Sequence, residues 1–183
     1  MRVISGSIKG RKLKSPFGQG IRPTSDKVKE AVFNILGDIL TGLSFLDLYA
    51  GSGSIGIEAL SRGAKNTTFV DQKSASIELI KTNLEKCGLL DNFEIIHYNV
   101  LDSILAISNR QRRYDIIFID PPYNSDLGIK TLYTILKNNI LKPDARIIVE
   151  HSAKKIFNDI SINNLFYVKD YSFGDTSITL FKH

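Results

Sequence analysis

The sequence predicts an α/β fold: a mostly parallel β-sheet with helices on both faces. Three observations lead there. From Leu43 onward, short apolar runs alternate with stretches of helical periodicity. Those runs are almost uniformly apolar, as in strands buried on both sides, and lack the period-two pattern of a sheet with one wet face. Near the end, two strand-like runs flank Phe173-Gly174-Asp175-Thr176 with no helix between them, which puts one antiparallel strand into the sheet.

In chain order, Arg2 to Lys14 alternates roughly between apolar and polar around Lys9-Gly10 and reads as a short hairpin. Pro16, Gly18, Gly20 and Pro23 then form a loop. Val28, Ala31, Val32, Ile35, Leu36 and Ile39 recur at helical spacing, and Gly42 can end that helix. The expected strands are 43–49, 67–71, 93–98, 114–120 and 146–150, followed by 166–171 and 177–181. The expected helices are 55–62, 74–87 (stopped by Gly88), 102–109, 128–138 and a final short one over 153–159.

The composition narrows the function classes. A chain of 183 residues, 43% hydrophobic and 23% charged, makes one globular domain with a real core. One cysteine, Cys87, excludes a disulfide framework and a thiolate zinc site, and fits a reducing cytoplasm. No run is long and apolar enough for a membrane span, and the first residues lack the apolar core of a secretion signal. His97, His151 and His183 are dispersed, so no metal is expected. The net charge of +5 is unevenly placed. Residues 1–30 hold eight basic side chains against Asp26 and Glu30, so the remainder is within one charge of neutral. A basic segment on a neutral body fits a polyanion partner, or else a solvated terminus.

The chemistry concentrates in two places. Asp47-Leu48-Tyr49-Ala50-Gly51-Ser52-Gly53-Ser54-Ile55-Gly56 sets G-x-G-x-x-G between a strand and a helix, the mark of a tight turn that a ligand approaches closely. Asp71 ends the next strand, 20 residues after Gly51, where a carboxylate can accept ribose hydroxyls. That much suits a nicotinamide dinucleotide. Asp47 argues otherwise, because an anion inside the first strand, facing the crevice, repels a pyrophosphate. It suits the ammonium of S-adenosylmethionine, which has a ribose and an adenine and no phosphate; the alternative is a carboxylate that merely anchors the loop. At the end of the third strand Asn99 can bond an adenine edge, with Val100 over one face, or can cap the following helix.

The second place is Asp120-Pro121-Pro122-Tyr123, after the fourth strand. Two prolines remove two backbone donors and hold the turn extended. The Asp120 carboxylate and the Pro121 carbonyl would then accept both N–H groups of a planar ring amine, while Tyr123 stacks on the ring. Such an amine is a poor nucleophile, so orientation supplies most of the acceleration. A plain strand-ending turn is the alternative. Among smaller signals, Arg110, Arg112 and Arg113 read as a solvated turn at the far end of that strand. Glu150 is either a site carboxylate or a helix cap. Arg22 and Thr24 border the cofactor or RNA, or only start a helix.

With these residues in view, the chain resembles class I S-adenosylmethionine-dependent methyltransferases with the D-P-P-Y signature of amino-directed enzymes. More closely, it resembles the RsmD family of bacterial 16S ribosomal RNA guanine-N2 methyltransferases. The carriers are Ile4-Ser5-Gly6 with Gly10-Arg11-Lys12-Leu13, Arg22-Pro23-Thr24, Val28 to Asn34, Asp47 to Glu58 with Leu60 to Ala64, Asp120 to Tyr123, and Gly174-Asp175-Thr176. The resemblance covers nearly the whole chain. The glycine loop and D-P-P-Y mark the superfamily, and the N-terminal blocks point to the family.

The resemblance implies a seven-stranded Rossmann-like sheet, with a basic N-terminal hairpin-and-loop extension over 1–24 and a methyltransferase domain over 25–183. It implies cofactor contacts through Asp47, Ala50, Gly51, Ser52, Gly53, Asp71, Asn99 and Val100. Asp120, with Pro121, Pro122 and Tyr123, would hold a guanine amino group. Arg2, Lys9, Arg11, Lys12, Lys14, Arg22 and Thr24 would meet RNA. The expected setting is a cytoplasmic monomer, without metal or membrane, acting on 16S rRNA in the small subunit or an assembly intermediate. Two positions depart from the family pattern: Asp71-Gln72 keeps a ribose carboxylate one methylene shorter, and Tyr49 replaces a common Phe. The rivals are a DNA adenine-N6 methyltransferase, a nicotinamide-dependent oxidoreductase and a non-catalytic RNA-binding module.

Overall fold

A computed structural model describes residues 1–15, 26–37, 40–122, 125–154, 157 and 164–183. The loop expected over 16–24 therefore lies outside the described residues, as does most of the final helix expected over 153–159.

Helix α1 spans Asp26–Leu36 and buries Val28, Val32, Phe33 and Leu36 on one face. It stops at Gly37, not Gly42: Gly37 takes φ 65° and still donates to the Phe33 carbonyl 2.9 Å away. Then come β1 (Ser44–Leu48), α2 (Ser54–Ser61), β2 (Asn66–Asp71), α3 (Ser74–Cys87), β3 (Phe93–His97), α4 (Val100–Asn109), β4 (Tyr114–Ile119), α5 (Leu127–Lys137), β5 (Leu141–Ser152), β6 (Phe166–Phe173) and β7 (Thr176–Lys182). Strand β5 starts five residues before the expected Arg146. Lys142-Pro143-Asp144 breaks its apolar pattern, and the register with β4 shifts there.

The strands form one seven-stranded sheet in the order β3-β2-β1-β4-β5-β7-β6. The first five strands are parallel, and β7 runs antiparallel to both β5 and β6. Strand alternation divides the core between two faces. Leu46, Leu48, Ile117 and Ile119 pack with Ile104 and Ile107 of α4 and Leu132 and Ile135 of α5. On the other face, Phe45 and Phe118 pack with Val32 and Phe33 of α1, while Phe69 meets Ile57 of α2 and Ile80 of α3.

The N-terminal segment is built into this body. Val3 and Leu13 are buried among Ile57, Leu60, Phe69 and Leu84. Strand-like pairing is confined to one antiparallel bridge, Arg2 with Lys12. The segment folds back on itself as expected, with backbone bonds from Val3 to Arg11 at 2.9 Å, Gly10 to Val3 at 2.9 Å and Leu13 to Met1 at 3.1 Å. The Ile4 and Ser5 N–H groups donate to the two carboxylate oxygens of Glu58, at 2.7 and 2.9 Å. Glu58, fully buried on α2, also pairs with Arg62 at 2.9 Å and lies 3.8 Å from the equally buried Lys29. Lys29 donates to the Arg2 carbonyl at 2.5 Å. Desolvation lowers its pKa, and the charges of Glu58 and Asp26 oppose that shift.

Removing the carboxylate should therefore be costly. Glu58→Ala is expected to lower the unfolding free energy by about 3 kcal/mol or more, since it strands a buried cation and two backbone donors. The urea midpoint measures this, and an unchanged midpoint would contradict it.

Candidate active site

In a sheet of this order, strand succession reverses between β1 and β4, and a crevice opens at their carboxyl ends. The loops after β1 and β4 both lead into it. They are tied together, as the Asp120 N–H donates to the Leu48 carbonyl at 3.3 Å.

The loop after β1 is held by side chains from three elements. Asp47 sits on β1 between Phe69 of β2 and Phe118 of β4. Its Oδ2 accepts the Gly56 N–H at 2.9 Å, near the start of α2. Asp71, at the end of β2, accepts the Gly51 N–H through Oδ2 at 2.9 Å and the Lys73 N–H through Oδ1 at 2.8 Å. Asn83, buried on α3, donates to the Ser52 carbonyl at 2.9 Å. Within the loop, the Gly53 N–H closes on the Ala50 carbonyl at 2.7 Å, and the Ala50 N–H reaches Val70 of β2 at 3.0 Å. Gly51 and Gly53 take φ of 55° and 73°, where other residues are strained. A Cβ at Gly56 would lie 2.2 Å from the Phe69 ring, so only glycine lets α2 approach the sheet this closely.

Asp47 is the unusual charge of the site. Burial, opposed by the Gly56 N–H and reinforced by the nearby Asp71 charge, raises its pKa to about 8. A carboxyl so far out of water favours a cation placed beside it. Asp71 leaves lone pairs for a ribose, since its two oxygens offer about four acceptor sites and the backbone fills two.

The other expected residues fall as follows. Asn99 caps α4: its side-chain oxygen accepts from the Leu101 and Asp102 N–H groups at 2.9 and 3.4 Å. Its amide nitrogen faces the Gln72 side chain at 3.4 Å. Val100 is buried in the core. Asp120 is half-buried, Pro121 buried and Pro122 exposed, with the Pro122 carbonyl accepting from the Ser125 hydroxyl at 2.7 Å. Tyr123, Arg22 and Thr24 lie outside the described residues. Arg2, Lys9, Arg11, Lys12 and Lys14 are all exposed on the docked N-terminal segment. That segment reaches the glycine loop at Lys14, whose backbone N–H and carbonyl bond the same Asn83 side chain at 2.7 and 3.1 Å.

Two residues escaped the sequence reading. Asn83 is one; a lone polar side chain on the apolar stripe of a helix was the available signal. Tyr49 is the other. It follows β1 with φ 62°, and its hydroxyl lies 2.9 Å from that of Thr131 on α5, which ties the loop to the opposite face of the sheet.

Arg110 and Arg112 pair with Glu94, as a solvated turn would. There, at the amino ends of the strands, a cavity of about 470 Å³ opens among Ser44, Thr67, Glu94, Arg112, Arg113 and Tyr114. Neither Asp47 nor Asp71 lines it, and ligands of parallel α/β sheets bind at the other end. Among the described residues, no group of three His, Cys, Asp or Glu could hold a metal, and no helix is long and apolar enough to cross a membrane.

The pKa of Asp47 has a consequence for stability. A carboxyl near 8 in the fold and 3.8 in the free chain binds more protons folded than unfolded between those values. Stability must then fall as pH rises through that window. Asp47→Asn should abolish this slope and gain on the order of 1–3 kcal/mol over the parent at about pH 8, with little gain at about pH 4. Thermal unfolding at both pH values tests it, and parallel pH profiles would refute it.

Comparison with known proteins agrees with the geometry. A family model described as conserved hypothetical protein 95 matches residues 1–182. The chain is 37% identical to "Putative rRNA methyltransferase YlbH" of Bacillus subtilis over 183 residues, covering 100% of this chain and 98% of that protein. It is also 37% identical to "Ribosomal RNA small subunit methyltransferase D" of Haemophilus influenzae over 185 residues, covering 100% and 94%. The solved structure of "Putative methyltransferase yhhF" from Escherichia coli superposes with a TM-score of 0.84 at 28% identity, covering 100% of this chain and 97% of that one. The fold is that of the class I methyltransferases, and the chain belongs to the conserved hypothetical protein 95 family, the RsmD-type family that its N-terminal blocks resemble.

Proposed function

We propose that the protein transfers a methyl group from S-adenosylmethionine to the exocyclic N2 amino group of a guanine in 16S ribosomal RNA. One observation carries the choice of cofactor: the glycine loop is lined by carboxylates and its three glycine amides are already occupied. The Gly51 N–H is taken by Asp71, the Gly53 N–H by Ala50 and the Gly56 N–H by Asp47. A pyrophosphate would find these donors engaged, the Asp71 carboxylate beside it, and in Asp47 a carboxyl that another anion would only make harder to ionise, which speaks against a nicotinamide dinucleotide. A cation with a ribose finds what it needs in Asp47 and Asp71.

When bound, S-adenosylmethionine supplies an electrophilic methyl group on a sulfonium. The rest of the work belongs to the chain. Asp120 and the Pro121 carbonyl accept the two N–H groups of the guanine amine, which takes its lone pair out of conjugation and aims it. Tyr123 stacks on the base. The nitrogen forms its bond to carbon as the sulfur–carbon bond breaks, and it becomes cationic. It then sheds one proton, which Asp120 accepts or passes to water, so no strong base is required. The exposed Arg2, Lys9, Arg11, Lys12 and Lys14 meet RNA phosphates, joined by Arg22 and Thr24 from the following segment. The names of the relatives support ribosomal RNA of the small subunit as substrate. The guanine N2 position, the subunit or assembly intermediate that presents it, and action as a cytoplasmic monomer are parts of the same reading.

The deciding experiment offers labelled S-adenosylmethionine with naked rRNA, assembled small subunits and duplex DNA, then identifies the methylated nucleoside. N2-methylguanosine in rRNA is expected. N6-methyladenine in DNA would overturn the reading in favour of the DNA enzyme.

Two variants test the parts. Asp120→Ala should lower transfer by on the order of a hundredfold or more, with cofactor affinity within about twofold, because it removes an interaction made to the reacting amine. Neutralising Arg11, Lys12 and Lys14 together should reduce the slope of log affinity against log salt by about 2 for single-stranded RNA. Cofactor affinity should stay unchanged, and an intact salt slope would remove the segment from the RNA interface.

A further inference from the structure

We infer that His151 is held as a buried imidazolium between β5 and the terminal hairpin, and that through Phe157 it positions the Asp120-Pro121-Pro122 turn. The protonation of the ring follows from the hydrogen-bond geometry with Asp170 ionised, whereas the benefit to catalysis rests on the proposed function.

His151 lies at the end of β5 and is only 4% exposed. Both ring nitrogens point at oxygens. Nδ1 faces the Ser152 carbonyl at 2.9 Å, and Nε2 faces the Thr179 hydroxyl of β7 at 2.7 Å. That hydroxyl in turn donates to Asp170 Oδ1 on β6 at 2.6 Å. A carbonyl only accepts, so Nδ1 must carry hydrogen. The threonine has one hydrogen, already given to the carboxylate, so it can only accept from Nε2. With Asp170 ionised, all three bonds are made only if both nitrogens are protonated. A neutral ring would leave two oxygens 2.6 Å apart without a proton between them, or a lone pair facing the carbonyl. The acidic side chain across Thr179 supplies the countercharge. On the same strand, desolvation and the Asp170 charge raise the pKa of the Tyr167 hydroxyl, so Tyr167 contributes no second anion.

The ring does more than join strands. It packs on Phe157, with centroids 4.4 Å apart and planes tilted by 40°, an arrangement that favours a cation on an aromatic ring. Phe157 is buried against the first turn of α5. A Cβ at Gly128 would lie 3.2 Å from its Cζ and 3.4 Å from Cγ of Pro121. The line Asp170, Thr179, His151, Phe157, Gly128, Pro121 is thus continuous, from the edge of the sheet to the turn that holds the amine. His151 is a positioning residue, and the line gives the terminal hairpin a part in the site.

Nitrogen-15 spectra of the imidazole in the full chain test this directly. Both His151 nitrogens should resonate as protonated at neutral pH, and a single neutral tautomer would overturn the imidazolium. Thr179→Val, close in shape but without the hydroxyl, should leave only Nδ1 protonated and shift the Gly128 and Asp120 amide signals. Thr179→Ser should restore the parent spectrum. Phe157→Leu should shift the same two amides with the relay intact, which keeps the test open if the valine variant folds poorly. Unmoved amides in both variants would overturn the positioning role. In methyl transfer, Thr179→Val should lower kcat on the order of tenfold with the KM for cofactor unchanged, as small misplacements of reacting groups do. A parent protein that methylated no RNA would count against the proposed function, while the spectra, which need no substrate, would still decide the relay.

Discussion

Asp47 is a carboxylate taken out of water in the middle of a parallel sheet and given a backbone N–H in return. Much of the site is arranged around that imbalance. The N–H belongs to Gly56, and Gly56 is where α2 comes so close to β2 that a methyl group would strike Phe69. Close packing of helix on sheet therefore delivers the donor, and the donor fixes where the helix begins. Between Asp47 and α2 the chain must turn back within a few residues, which forces positive φ at Tyr49, Gly51 and Gly53. Asp71 gathers the first loop amide, so two acidic groups come to line one crevice, and the charge of Asp71 adds to the cost of ionising Asp47. A carboxyl held this far from water gains its charge most readily with a cation beside it, and that preference is set by the backbone.

The second fixed point is Glu58, two residues further along α2. A fully buried carboxylate needs several donors, and it finds them in two different parts of the chain: the Ile4 and Ser5 N–H groups and the side chains of Arg62 and Lys29. The N-terminal segment is thereby clamped to the helix that carries the glycine loop, and Asn83 clamps its other end to the loop. A tail with the same charges would have to be ordered on binding. Here the ordering cost is met during folding, so the exposed basic side chains stand on a prepared support.

How far the sequence could be read depended on whether a feature was local. Helix α3 was legible to the residue, because its apolar stripe runs from Ile77 to Leu84 and Gly88 takes the left-handed conformation that ends it. The strands were legible because burial on both faces leaves long apolar runs. The glycine loop and its two carboxylates were legible because their spacing is a geometric requirement of the turn. What stayed hidden was settled by partners distant in sequence. The Arg2–Lys14 segment folds back on itself as its alternation suggests, but nothing local shows that Glu58, more than 50 residues away, takes the Ile4 and Ser5 donors. Lys29 counts as a surface charge in the sequence but is buried against Glu58. Asn99 could serve adenine or helix, and the local bonds to Leu101 and Asp102 engage its oxygen.

These hidden contacts alter the meaning of the charge count. The surplus of positive charge in the first 30 residues includes Lys29, which neutralises a buried carboxylate and is not available to a polyanion. Arg2, Lys9, Arg11, Lys12 and Lys14 remain exposed, and all sit on the segment that Glu58 and Asn83 fix in place. Placed side by side, an acidic crevice and a basic surface on one small domain would each weaken the other's hold on its ligand. Helix α2 and the glycine loop stand between them, so the separation is built into the scaffold. The same helix carries Gly56, which serves the acidic crevice, and Glu58, which serves the basic segment, two residues apart. A displacement of α2 would thus disturb both surfaces together, which is reason enough for that helix to be buried along its whole length.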